Sequence, residues 1–180
     1  RIVIKEKEIS AEIHEVDLNA IPEEVKVLSP YDEYPSLVDR ELVLQNSRVI
    51  IEYLDERFPH PPLLPVDPIS RARFRLALNE IEHNWYSKYV EAYNNEVLDD
   101  NFVTEIKNYF LEIAPLIKKK FFMSDDFGLV DCSIAPLLWR LKSLDFDLAE
   151  NNKVIADYSE RIFEREAFQE SLTETEKELF

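Results

Sequence analysis

The chain has 180 residues, with 21 Lys and Arg against 37 Asp and Glu, a formal net charge of −16. That balance argues against direct nucleic-acid binding, which takes clustered Lys and Arg, and suits an acidic protein steered toward basic surfaces. Hydrophobic residues make up 46%, enough for a core and too many for disorder.

Arg1 to Lys7 reads as the tail of a helix, and the partial alternation of Ser10 to Val16 predicts a short strand. Ile21 to Leu28 is a brief helix or turn. Ser36 to Asp39 and Glu41 to Leu44 are two short apolar runs around Asp39-Arg40, which predicts a tight hairpin. Asn46 or Ser47 can cap the next helix, whose apolar residues Ile50, Tyr53, Leu54 and Phe58 recur at helical spacing. Residues 59–68 read PHPPLLPVDP. Proline fixes φ and removes a donor, so this stretch is neither helix interior nor central strand, and it reads as a rigid linker. Beyond it helical period dominates. Phe74, Ala77, Leu78, Ile81 and Trp85 form one stripe. Phe102, Ile106, Tyr109, Phe110, Ile113, Leu116 and Ile117 form a second. Val130, Ile134, Leu137, Leu138 and Leu141 form a third, on a helix apolar nearly all round and therefore central. Pro136 should kink that helix and free a carbonyl near Cys132. A fourth helix runs through Ile155, Tyr158 and Ile162, and the charged tail beyond Glu170 is expected to fray.

Gly128 is the single glycine, which excludes a dinucleotide fingerprint or a phosphate loop. One cysteine, Cys132, excludes an internal disulfide and a thiolate zinc cluster. His14, His60 and His83 are too scattered for a preformed metal site, so neither metal nor cofactor is expected. No run of about 18 apolar residues is present to span a membrane, and with no signal peptide visible a cytoplasmic address is the default. The first residue is Arg1 rather than Met, and the chain is expected to begin inside a longer natural sequence.

A small αβ piece, a proline-rich linker and an all-helical piece together resemble the glutathione transferase family. Tyr34-Pro35-Ser36-Leu37 precedes the hairpin, where that family places a cis-proline. Gln45-Asn46-Ser47 opens a helix where the family has Glu or Asp before Ser. Phe127-Gly128-Leu129-Val130-Asp131 opens the buried helix, with Gly128 in place of the capping hydroxyl. LVDREL (Leu37 to Leu42), IEYLDERFPHPPLLPV (Ile51 to Val66), SDDFGLVDCSIAPLLWRL (Ser124 to Leu141), IFERE (Ile162 to Glu166) and SLTETEKE (Ser171 to Glu178) are similar to one bacterial branch, the stringent starvation protein A family. The fold this implies is α/β plus all-α. Residues 1–58 would be a thioredoxin-like domain lacking its front strand, 59–70 the linker and 71–180 the helical domain.

The resemblance implies a transcription regulator without transferase activity. It would bind RNA polymerase holoenzyme, sigma subunit included, through a surface pocket around Pro59-His60-Pro61, with Pro62 completing the turn. Arg40 falls on a position that is basic in the family near that pocket; otherwise it is a solvated hairpin charge. By its residues alone the proline segment is a plain linker or a stiff turn offering an imidazole, since rigid segments lose little freedom on binding. Tyr34, Pro35 and Ser47 are what remains of a glutathione site. Ser47 either caps its helix or holds a carboxylate at the helix N-terminus, and a glutathione-dependent transferase or reductase is the alternative function. Cys132 is expected to be buried and inert, and His14 and His83 to be solvated or paired. Arg71, Arg73 and Arg75 are expected to pair within the acidic chain, and Lys118-Lys119-Lys120 to close a helix. A homodimer, or a heterodimer with a related chain, follows from the family's habit of pairing its two domains across subunits.

Overall fold

The structure, a computed structural model, describes residues 1–17, 20–29, 34–94, 100–117, 119–143 and 146–178. The first piece holds α1 (Ile2–Glu6), α2 (Glu23–Leu28), β1 (Ser36–Asp39), β2 (Leu42–Gln45) and α3 (Ser47–Arg57). Strands β1 and β2 pair antiparallel with Asp39 opposite Leu42. The turn is therefore Arg40-Glu41, one residue later than expected, and Arg40 takes a positive φ of 57° at its first position. Asp39 stays in the ladder, where its carboxylate accepts from the Tyr53 hydroxyl at 2.7 Å. The expected strand at Ser10 to Val16 does not form. Residues 10 to 15 are exposed, Ile13 to 45%, so the alternation has no surface to bury against and no described strand to pair with.

Asn46 is the cap of α3. Its side chain accepts from the amides of Arg48 and Val49 at 3.0 and 3.3 Å, which leaves Ser47 as the first helical residue. The helical piece begins at Pro68, inside the proline-rich segment. Asp67 caps α4 (Pro68–Glu80) by accepting from the Ser70 amide at 2.8 Å, and proline suits the first helical position because its missing N–H costs nothing there. A π-helical turn, Ile81–Tyr86, carries α4 into α5 (Ser87–Asn94). Helix α6 (Asp100–Ile113) tightens into a 3₁₀ turn at Ala114–Leu116, because Pro115 cannot continue the α-helical ladder. The tightening swings Leu116 out of its stripe, to 40% exposure, while Ile117 returns to the core.

Helix α7 (Leu129–Ser143) is the centre of the molecule. Leu129, Val130, Ile134, Ala135 and Leu138 on it are fully buried. Around it lie α8 (Leu148–Asn151), α9 (Lys153–Phe163), α10 (Glu166–Ser171) and α11 (Glu174–Lys177). Trp139 packs edge-on against Phe163 and Phe168, with ring centroids 4.9 and 5.2 Å apart. The expectation of a fraying tail is overturned. Thr173 and Glu176 close a reciprocal capping box around α11, and the Glu176 carbonyl accepts from the Trp139 indole at 3.1 Å. Those bonds order a segment whose charge alone suggested otherwise.

Candidate functional site

The turn that joins the two pieces is exposed at its crest, half-buried at Phe58 before it and buried at Leu63 and Leu64 after it. Pro59, His60, Pro61 and Pro62 are all exposed, and the His60-Pro61 peptide is cis. Immediately after them Leu63 and Leu64 are each 4% exposed. Lys7, at the end of α1, lies beneath. Its ammonium donates to the carbonyls of Phe58 and Pro61 at 2.6 and 2.7 Å and to the Asp55 carboxylate at 2.7 Å. Asp55 accepts in turn from the amides of Leu63 and Leu64 at 2.9 and 3.0 Å. The linker is thus more than a spacer: Leu63 and Leu64 at its middle are core, and the Leu63 carbonyl accepts from the Leu129 amide at the start of α7, 2.9 Å away. This approach accounts for Gly128, where a Cβ would stand 2.8 Å from the Leu63 carbonyl oxygen.

Arg40 sits exposed at the tip of the β1–β2 hairpin. Its neighbour Asp39 ties that tip to the last turns of α3 through Tyr53 and through Arg57, whose Nε is 3.6 Å away. The hairpin tip and the proline turn are therefore both anchored at the C-terminal end of α3.

A second feature is a cavity of about 500 Å³ between α3, the π-helical turn, α7 and the C-terminal tail. Pro35 and Ser47 line it; Tyr34 does not. The Tyr34-Pro35 peptide is cis, as expected, and the buried Tyr34 hydroxyl has no hydrogen-bond partner among the described residues. The far wall includes Tyr86, Trp139, Arg140 and Glu176. Arg140 donates to the Glu176 carboxylate at 2.7 Å, and Arg1 donates to that carboxylate too. The Tyr86 hydroxyl donates to the Ser133 carbonyl at 2.9 Å, next to Cys132, near which Pro136 was expected to free a carbonyl. Burial pushes the Tyr86 phenol up to about 12, so it serves as a donor rather than a base. Cys132 also reaches the cavity wall, and burial first, then the neighbouring Asp131 charge, drives its thiol well above the ordinary range. A thiol held protonated is a poor nucleophile.

Most of the other charged candidates have ordinary partners; Arg73 is exposed on α4. His14 lies 3.1 Å from Glu12, and His83 approaches the Asn79 carbonyl at 3.1 Å; both are exposed. Arg75 pairs with Glu52 at 2.7 Å and Arg71 lies 3.8 Å from Glu56. Lys118 lies outside the described residues. Lys119 and Lys120 follow the 3₁₀ turn instead of ending a helix, and Lys119 pairs with Asp125 at 3.1 Å. Among the described residues no three His, Cys, Asp or Glu side chains gather where they could hold a metal ion, and no helix is long and apolar enough to cross a membrane.

Residues 1–62 match the family described as glutathione S-transferase, N-terminal domain, and residues 67–166 match glutathione S-transferase, C-terminal domain. A stringent starvation protein A homolog of Haemophilus influenzae is 48% identical over 177 residues, covering 97% of this chain and 84% of its own length. That of Coxiella burnetii is also 48% identical, covering 99% of this chain and 87% of its own length. The chain belongs to the stringent starvation protein A family. Its fold is that of the transferases: a delta-class glutathione transferase of Nilaparvata lugens superposes with a TM-score of 0.85 at 22% identity, covering 99% of this chain and 90% of that one.

Within that family fold, the sequence pointed at the turn and at Pro35 and Ser47, but not at the groups that secure them. Lys7 and Asp55 were missed because their partners lie far along the chain and leave no local pattern. The tail was legible in principle: Thr173-Glu174-Thr175-Glu176 is a capping box written in sequence. Its contribution to the cavity, through Glu176 and Arg140, was not.

Proposed function

We propose that this chain is a non-catalytic, cytoplasmic transcription regulator that docks on RNA polymerase holoenzyme, sigma subunit included, through Pro59, His60, Pro61 and Pro62, with Arg40 beside them. The observation that carries this is an exposed imidazole on a turn that is hydrogen-bonded on both sides and buried on the far one. Such a surface is organised before binding, so little freedom is lost when a partner arrives. The net charge of −16 speeds encounter with basic protein surfaces and discourages direct contact with DNA. The regulator works as a homodimer, for which Val49 on α3, Val66 just before α4, and Ile69 and Leu76 along it, 50 to 86% exposed, offer apolar surface. His60→Ala leaves the fold intact and weakens capture of polymerase from a bacterial lysate. Equal capture by the two forms removes His60 from the contact.

A second reading, a glutathione-dependent transferase or reductase, draws on the cavity that Pro35 and Ser47 line. Against it stand a bonded Tyr86 hydroxyl and a Cys132 thiol kept neutral by burial. Turnover of a generic electrophile with glutathione would favour the enzyme over the docking protein.

A further inference from the structure

The segment Pro59-His60-Pro61-Pro62 has one backbone N–H, that of His60, because three of its four residues are proline. A turn built this way cannot hold its own shape with internal hydrogen bonds; its donors must come from elsewhere. They come from Lys7. The Lys7 ammonium has three N–H bonds and three acceptors, the carbonyls of Phe58 and Pro61 at 2.6 and 2.7 Å and the Asp55 carboxylate at 2.7 Å. Its side chain is 0% exposed. Phe58 and Pro61 bracket Pro59 and His60, so drawing both carbonyls onto one buried nitrogen bows the two residues between them toward solvent. Asp55 performs the complementary task on the next stretch, taking the amides of Leu63 and Leu64. One ion pair therefore satisfies carbonyls on one side of the turn and amides on the other.

We infer that Lys7 is the positioning residue of the docking turn, its ammonium fixing where His60 stands before any partner arrives. This rests on the docking reading above, and Lys7 itself never touches the partner. A buried charge held for geometry rather than for net stability is a known use of such pairs.

The test is a double-mutant cycle on polymerase affinity with wild type, His60→Ala, Lys7→Met and the double variant. His60→Ala and Lys7→Met should each weaken binding by about tenfold, and the double variant should bind no more weakly than His60→Ala alone. Multiplying losses would mean that Lys7 acts on the fold at large and would overturn the assignment. A second arm needs no partner. The His60 imidazole should give a single sharp set of ring resonances in wild type and broadened or multiple ones in Lys7→Met, with Lys7→Arg between the two. Unchanged resonances in Lys7→Met overturn the assignment. Should Lys7→Met fail to fold, amide exchange of the wild-type chain still decides. Leu63 and Leu64 amides as protected as those of α7 support the clasp, and exchange at open-loop rates overturns it. If the ring loosens in Lys7→Met while His60→Ala binds polymerase as wild type does, the docking reading falls and the positioning role stands.

Discussion

Two buried aspartates, Asp55 under the proline turn and Asp131 at the start of α7, do the same job with different partners. Each accepts from two backbone amides that have no helical or strand partner: Leu63 and Leu64 for Asp55, Phe122 and Gly128 for Asp131. Asp55 adds a cation, Lys7. Asp131 adds a neutral donor, the Tyr158 hydroxyl at 2.6 Å. The consequence shows in its protonation. Burial raises the Asp131 carboxyl to about 6, with the Tyr158, Phe122 and Gly128 hydrogen bonds pulling back only in part. Core folding tolerates a carboxyl that spends part of its time neutral. The clasp under the turn uses full opposite charges, and it lies where the proposed function needs one fixed geometry.

The largest expected effect comes from removing half of that ion pair. Asp55→Ala strands the buried Lys7 ammonium and two amides, and should cost about 3–5 kcal/mol, read from urea midpoints. A loss under about 1 kcal/mol would mean that water reaches Lys7 and that the two aspartates are not alike.

Next is Asp131→Ala, which orphans the Phe122 and Gly128 amides and the Tyr158 hydroxyl, at about 3 kcal/mol after relaxation. Its pH dependence is more telling. The folded carboxyl keeps its proton up to about pH 6, whereas the unfolded one loses it near the ordinary value of 3.8. Between these limits the native state binds more protons, so stability falls as pH rises through the window and levels off above it. Relative to Asp131→Asn, wild type should therefore lose on the order of 2–3 kcal/mol between pH 4 and pH 7. Parallel profiles for the two proteins would show that Asp131 is ionised throughout.

Gly128→Ala ties the two aspartates' neighbourhoods together. The added Cβ would meet the Leu63 backbone oxygen at 2.8 Å, and neither backbone can yield without stretching the Leu129–Leu63 hydrogen bond. A cost of about 1–3 kcal/mol is expected, as for other overpacked sites. A neutral result would mean that the linker shifts freely against α7.

These same residues mark how far the sequence could be read. Periodicity found α3, α4, α6, α7 and α9, because each buries one face at a spacing that repeats within a turn or two. The hairpin came from its flanking apolar runs, off by one residue because Asp39 has a partner in Tyr53 that local pattern does not show. Ser10 to Val16 alternated without a neighbour to pair with. At the site, exposure of the turn followed from its prolines, and Pro35 and Ser47 do meet in one cavity. Asp131 was read only as part of the segment that opens the buried helix. Its bond to Phe122, like the bond from Lys7 to Pro61, depends on how distant segments cross.

The smallest effect lies at the tail, and it should carry the opposite sign from Asp131. Burial alone would raise the Glu176 carboxyl, but the Thr173 amide, then the Arg1 and Arg140 charges, outweigh it and hold the group below its ordinary value. Its contribution is then present above pH 4.5, the ordinary value of an unfolded glutamate, and is lost as pH falls through the lower folded value. Arg140 is a third exposed, so solvent screens the pair, and Glu176→Gln should cost under about 1 kcal/mol at pH 7. The capping bond to the Thr173 amide survives in the glutamine, because its side-chain carbonyl can still accept. Against Asp131→Asn the comparison is direct. Acidifying from pH 7 to pH 4 should strengthen wild type relative to Asp131→Asn and weaken it relative to Glu176→Gln. Two shifts of the same sign would mean that the tail, too, is governed by burial rather than by its arginines.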